Sequence, residues 1–357
     1  MDRVESAAAL AQELIDSLAE PCVVDGASVK VDLAVGIAVF PVDAQDAEQL
    51  SRNAEQALGF AKSAGRNHYR FYVAELGDRM RARQSMQQEL ELAFARQQLS
   101  FQYQPQFDAR TGALVAAEAL MRWRYPEKGD ISPETFIPLA EESGFISVLG
   151  EWVVAETCRR GKALLQAGIP LRLSLNVSPA QFRDGPFHHV LHHHLRLTGL
   201  PAELLEVELT ETALIGDVDE TAEGLRLIRA LGVQVAVDDF GIGHSSLSYL
   251  QRLPLSRLKI DRSFINGIGV AQGGAQIVKA IINLSHSLDL EVVAEGVETR
   301  AQLEHLQAQG CDIIQGFLLS QPLDEPDFTE FVRRARGPKA AASVLFPAPV
   351  NRLQTGS

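Results

Sequence analysis

The sequence predicts an α/β fold: a (β/α)8 TIM-type barrel preceded by a smaller α+β segment. Two observations point to the barrel. From Leu99 onward short apolar strands alternate with amphipathic helices over roughly 240 residues, the size of one such barrel. Strand after strand also closes on a carboxylate, an amide or an amine, as expected where C-terminal strand ends line one mouth. A third observation sets residues 1–73 apart, because their helices and strands do not follow the later repeat.

Taken in order, apolar periodicity predicts a helix from Val4 to Leu18, and Asp25-Gly26 predicts a hairpin turn. A β-rich run from Val29 to Phe40 follows, then a helix from about Asp46 to Ser63 and a strand near His68 to Tyr72. Residues 74–98 read as a linker helix, centred on about Asp78 to Gln97. Met80, Met86, Leu90 and Phe94 recur there at helical spacing and give it one packing face. The barrel is expected over residues 99–336. Its strands are predicted from Leu171 to Asn176, Leu204 to Glu208, Val233 to Asp239, Arg257 to Asp261, Glu291 to Glu295 and Cys311 to Gln315. Helices are predicted from Glu151 to Gln166, Asp219 to Leu231, Gln276 to Leu288 and Arg300 to Gln309. Residues 337–357, rich in Pro, Ala and polar residues, read as a disordered tail.

Bulk composition narrows the function classes. At 46% hydrophobic and 22% charged the chain has ample material for a core. No apolar stretch reaches bilayer length, and the start Met-Asp-Arg-Val-Glu-Ser lacks a hydrophobic signal core. A cytoplasmic protein without membrane contact is expected. Cys22, Cys158 and Cys311 are odd in number and far apart, so they read as reduced, buried residues. The net charge of -13 argues against a nucleic-acid polymer as partner. A small anionic substrate stays compatible, because bound cations reverse the local field.

The chemistry centres on Asp238 and Asp239, adjacent carboxylates at the end of the apolar run Val233 to Val237 and followed by Phe-Gly-Ile-Gly. Such a pair repels itself and is costly to desolvate unless cations lie between its members. Glu118, Asn176, Glu208, Lys259, Glu295 and Gln315 mark other strand ends, so a barrel would gather them with the Asp pair in one pocket. One Glu or Asp at a strand end is usually a cap or a solvated loop residue; seven polar endings in step are not. Hard oxygen donors without Cys or His suit magnesium or manganese over zinc.

These residues resemble a known family. Glu118-Ala119-Leu120, followed by Met121-Arg122-Trp123, is similar to the signature that names the EAL domain, the bacterial cyclic di-GMP phosphodiesterase. The resemblance continues through Tyr103-Gln104-Pro105, Asn176-Val177-Ser178, Glu208 to Glu211, Asp238 to Gly241, Leu258 to Asp261, Ala294 to Glu298 and Gln315 to Phe317. It implies two ions, Mg2+ or Mn2+, one held by Glu118, Asn176, Glu208 and Asp238, the other by Asp238, Asp239 and Glu295. It implies that Lys259 orients the attacking water and that Glu211 holds the loop after the Asp pair. Arg122 would meet a phosphate; Gln104, Leu120, Asp261, Glu298 and Gln315 would complete the substrate pocket. The implied reaction is in-line attack of metal-activated water that opens cyclic di-GMP to linear pGpG, with barrels pairing as homodimers. A catalytically silent cyclic di-GMP receptor is the alternative. Receptors of this family have usually lost metal ligands, which this chain keeps.

Residues 1–73 resemble the C-terminal half of a GGDEF (diguanylate cyclase) domain, through Val35 to Pro41, Ala54-Glu55 and Ala61 to Asn67. The Gly-Gly-Asp/Glu-Glu-Phe loop is absent from the chain, so no cyclase activity is expected. His244, Ile242 and Gln321 depart from the usual EAL pattern and bear on rate and loop regulation. His188, His189, His192, His193 and His194 spread over more than one helix face and read as a solvated or partly packed helix, not as a metal site.

Overall fold

The computed structural model describes residues 3–18, 22–24, 27–29, 32–65, 67–125, 129–183, 185–214, 218–241, 250–268 and 274–335. The expected turn at Asp25-Gly26, the tail 337–357, His244 and Ile242 lie outside the described residues. The chain divides into two compact units, Met1–Glu89 and Leu90–Ser357. That boundary falls inside the expected linker helix, so its last turns belong with the second unit.

In the first unit helix α1 (Arg3–Ser17) precedes a small antiparallel hairpin, β1 (Cys22–Val24) with β2 (Ala27–Val29). The run expected from Val29 to Phe40 is thus broken. Strand β3 (Ala34–Ile37) pairs in parallel with β4 (His68–Phe71), with helix α2 (Ala47–Ser63) as the crossover between them. Asp46 caps that helix by accepting from the Gln49 amide at 2.7 Å. Gly36 lets helix and strand touch: a Cβ there would sit 2.2 Å from the Leu58 amide nitrogen.

Helix α3 (Ala74–Ala95) ends in the second unit with Leu90 and Ala93 buried, and Phe94 sets its ring edge-on to Phe145 and Trp152. The barrel strands are β5 (Leu99–Asp108), β6 (Leu114–Tyr125), β8 (Arg172–Val177), β9 (Leu205–Thr210), β10 (Gln234–Phe240), β11 (Arg257–Ile260), β12 (Glu291–Ala294) and β13 (Ile313–Ile314). They close because β5 pairs with both β6 and β13; β7 (Gly129–Ile131) and β14 (Leu323–Asp324) extend the edges. Helices α4 (Pro133–Ser143), α5 (Ile146–Gln166), α6 (Pro179–Arg183), α7 (Phe187–Thr198), α8 (Val218–Ala230), α10 (Gly274–Ser287) and α11 (Arg300–Ala308) lie between successive parallel strands. Among the described residues no helix is long and apolar enough to cross a membrane.

The barrel is not wholly parallel, because β5 runs antiparallel to both of its neighbours. The cause is local: no helix separates β5 from β6, and Asp108 Oδ1 accepts from the Arg110 amide (3.1 Å), the Thr111 amide (2.6 Å) and the Thr111 hydroxyl (2.7 Å), making a tight reversal.

Alternation along each strand creates two separate interiors. Leu173, Leu175, Val207, Leu209, Val235, Val237, Leu258 and Val292 join the main apolar core with the surrounding helices. Ala116, Ala236, Val293 and Ile313 are just as buried but stand apart from that core. They share the barrel lumen with charged and amide side chains, so the lumen is largely polar. That is where the site lies.

Candidate metal centre

Each predicted acid reaches the lumen because its strand alternates. Glu118 lies in the middle of β6, not at a strand end as expected; it sits directly across from Gln104 of β5 and Ser174 of β8. Glu208 lies in β9 between Asn176 and Ala236 of its neighbours. Lys259 lies within β11, whereas Glu295 and Gln315 follow the last residues of β12 and β13.

Asp238 and Asp239 pose a geometric problem, because consecutive strand residues face opposite sides. The structure solves it with a bulge: Val237 pairs with Leu258 but Phe240 pairs with Ile260, so β10 carries one extra residue. Asp239 takes a left-handed φ of 54°, uncommon for a residue with a side chain. The Asp239 amide donates to Asp238 Oδ1 at 2.9 Å. Both carboxylates then serve one cluster. Glu211, buried beside the bulge, accepts from the Gly241 amide at 2.9 Å and ties down the turn.

The carboxylates meet in two groups, Glu118 with Glu208 and Asp238, and Asp238 with Asp239 and Glu295. Within each group ligand oxygens lie within 4.8 Å of one another, and Asp238 is common to both. Lys259, only 1% exposed, projects its Nζ among them. It lies 2.5 Å from Glu208, 2.6 Å from Glu295, 3.1 Å from Asp238 and 3.6 Å from Glu118. Burial disfavours this ammonium, but Asp238, Glu118, Glu208 and Glu295 outweigh it and hold its pKa well above the usual lysine value.

One ammonium against five carboxylates leaves the site strongly anionic. Burial, with neighbouring acids, pushes Glu208, Asp238 and Glu295 above the ordinary carboxylate range. Asp239 is pushed up to about 6, by burial first and by Asp238 next. Glu118 goes the other way: burial raises it, but Lys259, Gln315 and Asn176 together draw it below normal. Its oxygens accept from Asn176 Nδ2 at 2.7 Å and from Gln315 Nε2 at 2.7 Å.

The donor set fits hard divalent cations. It is all oxygen, it is anionic beyond what Lys259 offsets, and Glu208 Oε1 is buried without a hydrogen-bond partner. With Asn176 Nδ2 engaged by Glu118, the Asn176 carbonyl oxygen is the atom left to face a cation.

The remaining predicted contacts are less tightly drawn in. Gln104 accepts from Gln315 Nε2 at 3.0 Å, beside Glu118. Leu120 and Arg122 follow Glu118 on the same strand face, and Arg122 Nε donates to Gln102 at 2.8 Å. Asp261 caps the short helix α9 (Arg262–Asn266), accepting from the Ser263 amide at 2.8 Å, and its charge is felt at Asp239. Glu298 is exposed; its amide donates to Gln302 at the start of α11. Cys158 and Cys311 are free thiols buried in the apolar core.

Sequence reasoning passed over three lumen residues. Gln106 is fully buried against Gln315. Lower in the lumen, Arg257 lies 3.0 Å from Glu206 and 2.8 Å from Glu291. The signal was the i, i+2 spacing: Gln104 with Gln106, Glu206 with Glu208, and Arg257 with Lys259 each put two polar residues on one face of an otherwise apolar strand.

Comparison with known proteins bears on the same residues. The EAL domain family matches residues 87–322, and the diguanylate cyclase GGDEF domain family matches residues 1–68. The chain is 40% identical over 328 residues to the cyclic di-GMP phosphodiesterase NbdA of Pseudomonas aeruginosa, spanning 92% of this chain and 42% of that protein. It is 39% identical over 318 residues to the bifunctional diguanylate cyclase/cyclic di-GMP phosphodiesterase MucR of the same organism, spanning 89% of this chain and 46% of that one. The chain thus spans less than half the length of these curated relatives. The solved PaMucR phosphodiesterase in complex with c-di-GMP superposes with a TM-score of 0.66 at 41% identity, covering 68% of this chain and 98% of that one. Barrel, acidic lumen and matched residues lead to one conclusion: the chain belongs to the EAL domain family, with a partial GGDEF region before the barrel.

Proposed function

We propose that this protein is a metal-dependent phosphodiesterase that hydrolyses cyclic di-GMP to linear pGpG in the bacterial cytoplasm. The observation that carries the reading is the pair of acidic groups sharing Asp238 around the buried Lys259 ammonium. Such a divided oxygen cage suits a reaction in which one phosphodiester needs both an activated nucleophile and a stabilised leaving group.

In this reading Glu118, Asn176, Glu208 and Asp238 hold one cation, and Asp238, Asp239 and Glu295 hold the second. Magnesium or manganese fits the donors, and the bound pair supplies Lewis acidity at the phosphate. Lys259 keeps its proton because carboxylates surround it, so it presents fixed positive charge where the phosphate gains negative charge. Glu211 keeps the bulge set so that both Asp side chains stay in one cluster. Arg122 on the lumen face contacts a phosphate, with Gln104, Leu120, Asp261, Glu298 and Gln315 around the rest of the dinucleotide. Pairing of barrels into a homodimer belongs to the same reading.

The test is turnover of cyclic di-GMP with magnesium, manganese or calcium supplied in turn, and with a chelator. Linear pGpG, identified by mass, is expected with magnesium or manganese and is lost with the chelator. Tight binding without product under every metal would contradict hydrolysis and leave the silent receptor.

A further inference from the structure

We infer that Gln106 is a positioning residue for the metal ligand Glu118, acting through Gln315; this rests on the metal-dependent reading above. All three side chains are buried, with Gln106 at 0%, Gln315 at 3% and Glu118 at 5% exposure. A carboxylate at the metal centre can only accept, so the side of the Gln315 amide turned toward Glu118 is its NH2 group, donating at 2.7 Å. The second N–H of that group goes to Gln104 Oε1 at 3.0 Å. Both donors of Gln315 are therefore committed, and its carbonyl oxygen points away from Glu118, toward Gln106.

A buried carbonyl oxygen there needs a donor, and Gln106 Nε2 supplies it at 2.8 Å. The contact does more than satisfy one atom. An amide turned end for end would set its carbonyl against the Glu118 carboxylate and withdraw the N–H that draws that acid's pKa down. By holding the carbonyl end, Gln106 selects the orientation in which Gln315 supports Glu118. The register brings this about: on β5, Gln104 and Gln106 both face the lumen, with Gln104 across from Glu118 and Gln106 across from Ala116, whose small side chain leaves room for the longer amide.

Groups that orient metal ligands typically contribute about 10- to 100-fold in metal affinity, and Gln106 acts one bond further out, so about tenfold is expected. The experiment is Mn2+ titration of the full chain, followed by electron paramagnetic resonance, for wild type, Gln106→Met, Gln315→Met and the double variant. Methionine keeps the length of glutamine without its donor. Gln106→Met should bind Mn2+ about tenfold more weakly. The double variant should be no weaker than Gln315→Met alone, because Gln106 has nothing left to hold. Gln106→Leu, shaped differently but equally without a donor, should show the same loss and reads the same quantity if the methionine variant does not fold. Mn2+ affinity within about twofold of wild type, or losses that multiply in the double variant, would overturn the inference. Turnover of cyclic di-GMP by the wild type, run alongside, separates the two claims. Wild-type turnover with an unaffected Gln106→Met defeats only the Gln106 role, whereas wild type that neither binds Mn2+ nor turns over defeats the underlying reading.

Discussion

Asp239 concentrates the strain and charge of this site in one residue. Its left-handed backbone and its raised pKa share an origin, since the bulge that brings it beside Asp238 also partly buries it, the larger effect, and brings it into a field of like charge. Asp239→Asn should remove the second cation and reduce turnover by more than the roughly 10- to 100-fold that outer-shell changes cost. Full turnover in that variant would contradict the site. The pH dependence follows from sign. A carboxyl whose folded pKa lies near 6 holds a proton in the native state that the unfolded chain has already released. Its stabilising contribution is therefore complete below the unfolded value and is lost as pH rises through about 6. Metal-free protein should gain thermal stability relative to Asp239→Asn when the pH falls from neutral to about 5. Below about 6 turnover at limiting metal should fall, and added metal should restore it, because protons and cations compete for the same oxygens. The clustered acids were legible in the sequence because acids are rare in apolar strands. Gln106 was not, since a glutamine in strand alternation reads as a solvent-facing residue until the barrel closes around it.

Among the elements, β10 matters most. Its extra residue is what lets two adjacent acids act together, and the buried Glu211 carboxylate stabilises the turn that follows. Glu211→Ala should leave the Gly241 amide without its acceptor, cost roughly 1.5–3 kcal/mol, and lower kcat at saturating metal. Urea unfolding and steady-state kinetics read the two effects, and unchanged kcat would count against the bulge as a catalytic support. The Asp-Asp-Phe-Gly sequence announced a tight turn, but the bulge itself depends on pairing with β11 and could not be read from one strand alone. The antiparallel β5 had a local signal in the Asp108 to Gly112 reversal, and the alternating strand-helix pattern of the later chain masked it.

At the scale of the whole molecule, the barrel holds two interiors of opposite character, an apolar one under the helices and a polar one inside the strands. Glu206, pushed up to about 7 by burial, lies against Arg257 in the lower lumen. Arg257→Met should destabilise the barrel by about 1–3 kcal/mol, because it leaves the buried Glu206 to the more distant Arg172, 3.8 Å away, while a second change, Glu206→Leu, should recover most of the loss. Both tryptophans, Trp123 and Trp152, lie in the barrel unit, so their fluorescence reports its unfolding alone. The repeat along the chain predicted the barrel's closure. The charged lower lumen left one trace, the paired spacing of Glu206 with Glu208 and Arg257 with Lys259, because its contacts form only when strands far apart in sequence face one another. The central claim is that one lumen grips two divalent ions through a shared Asp238. Titration of metal-free protein with Mn2+ tests it most directly: saturation at two ions per chain, falling to one in Asp239→Asn, is the predicted result, and a wild-type chain that saturates at one ion or none would contradict the account.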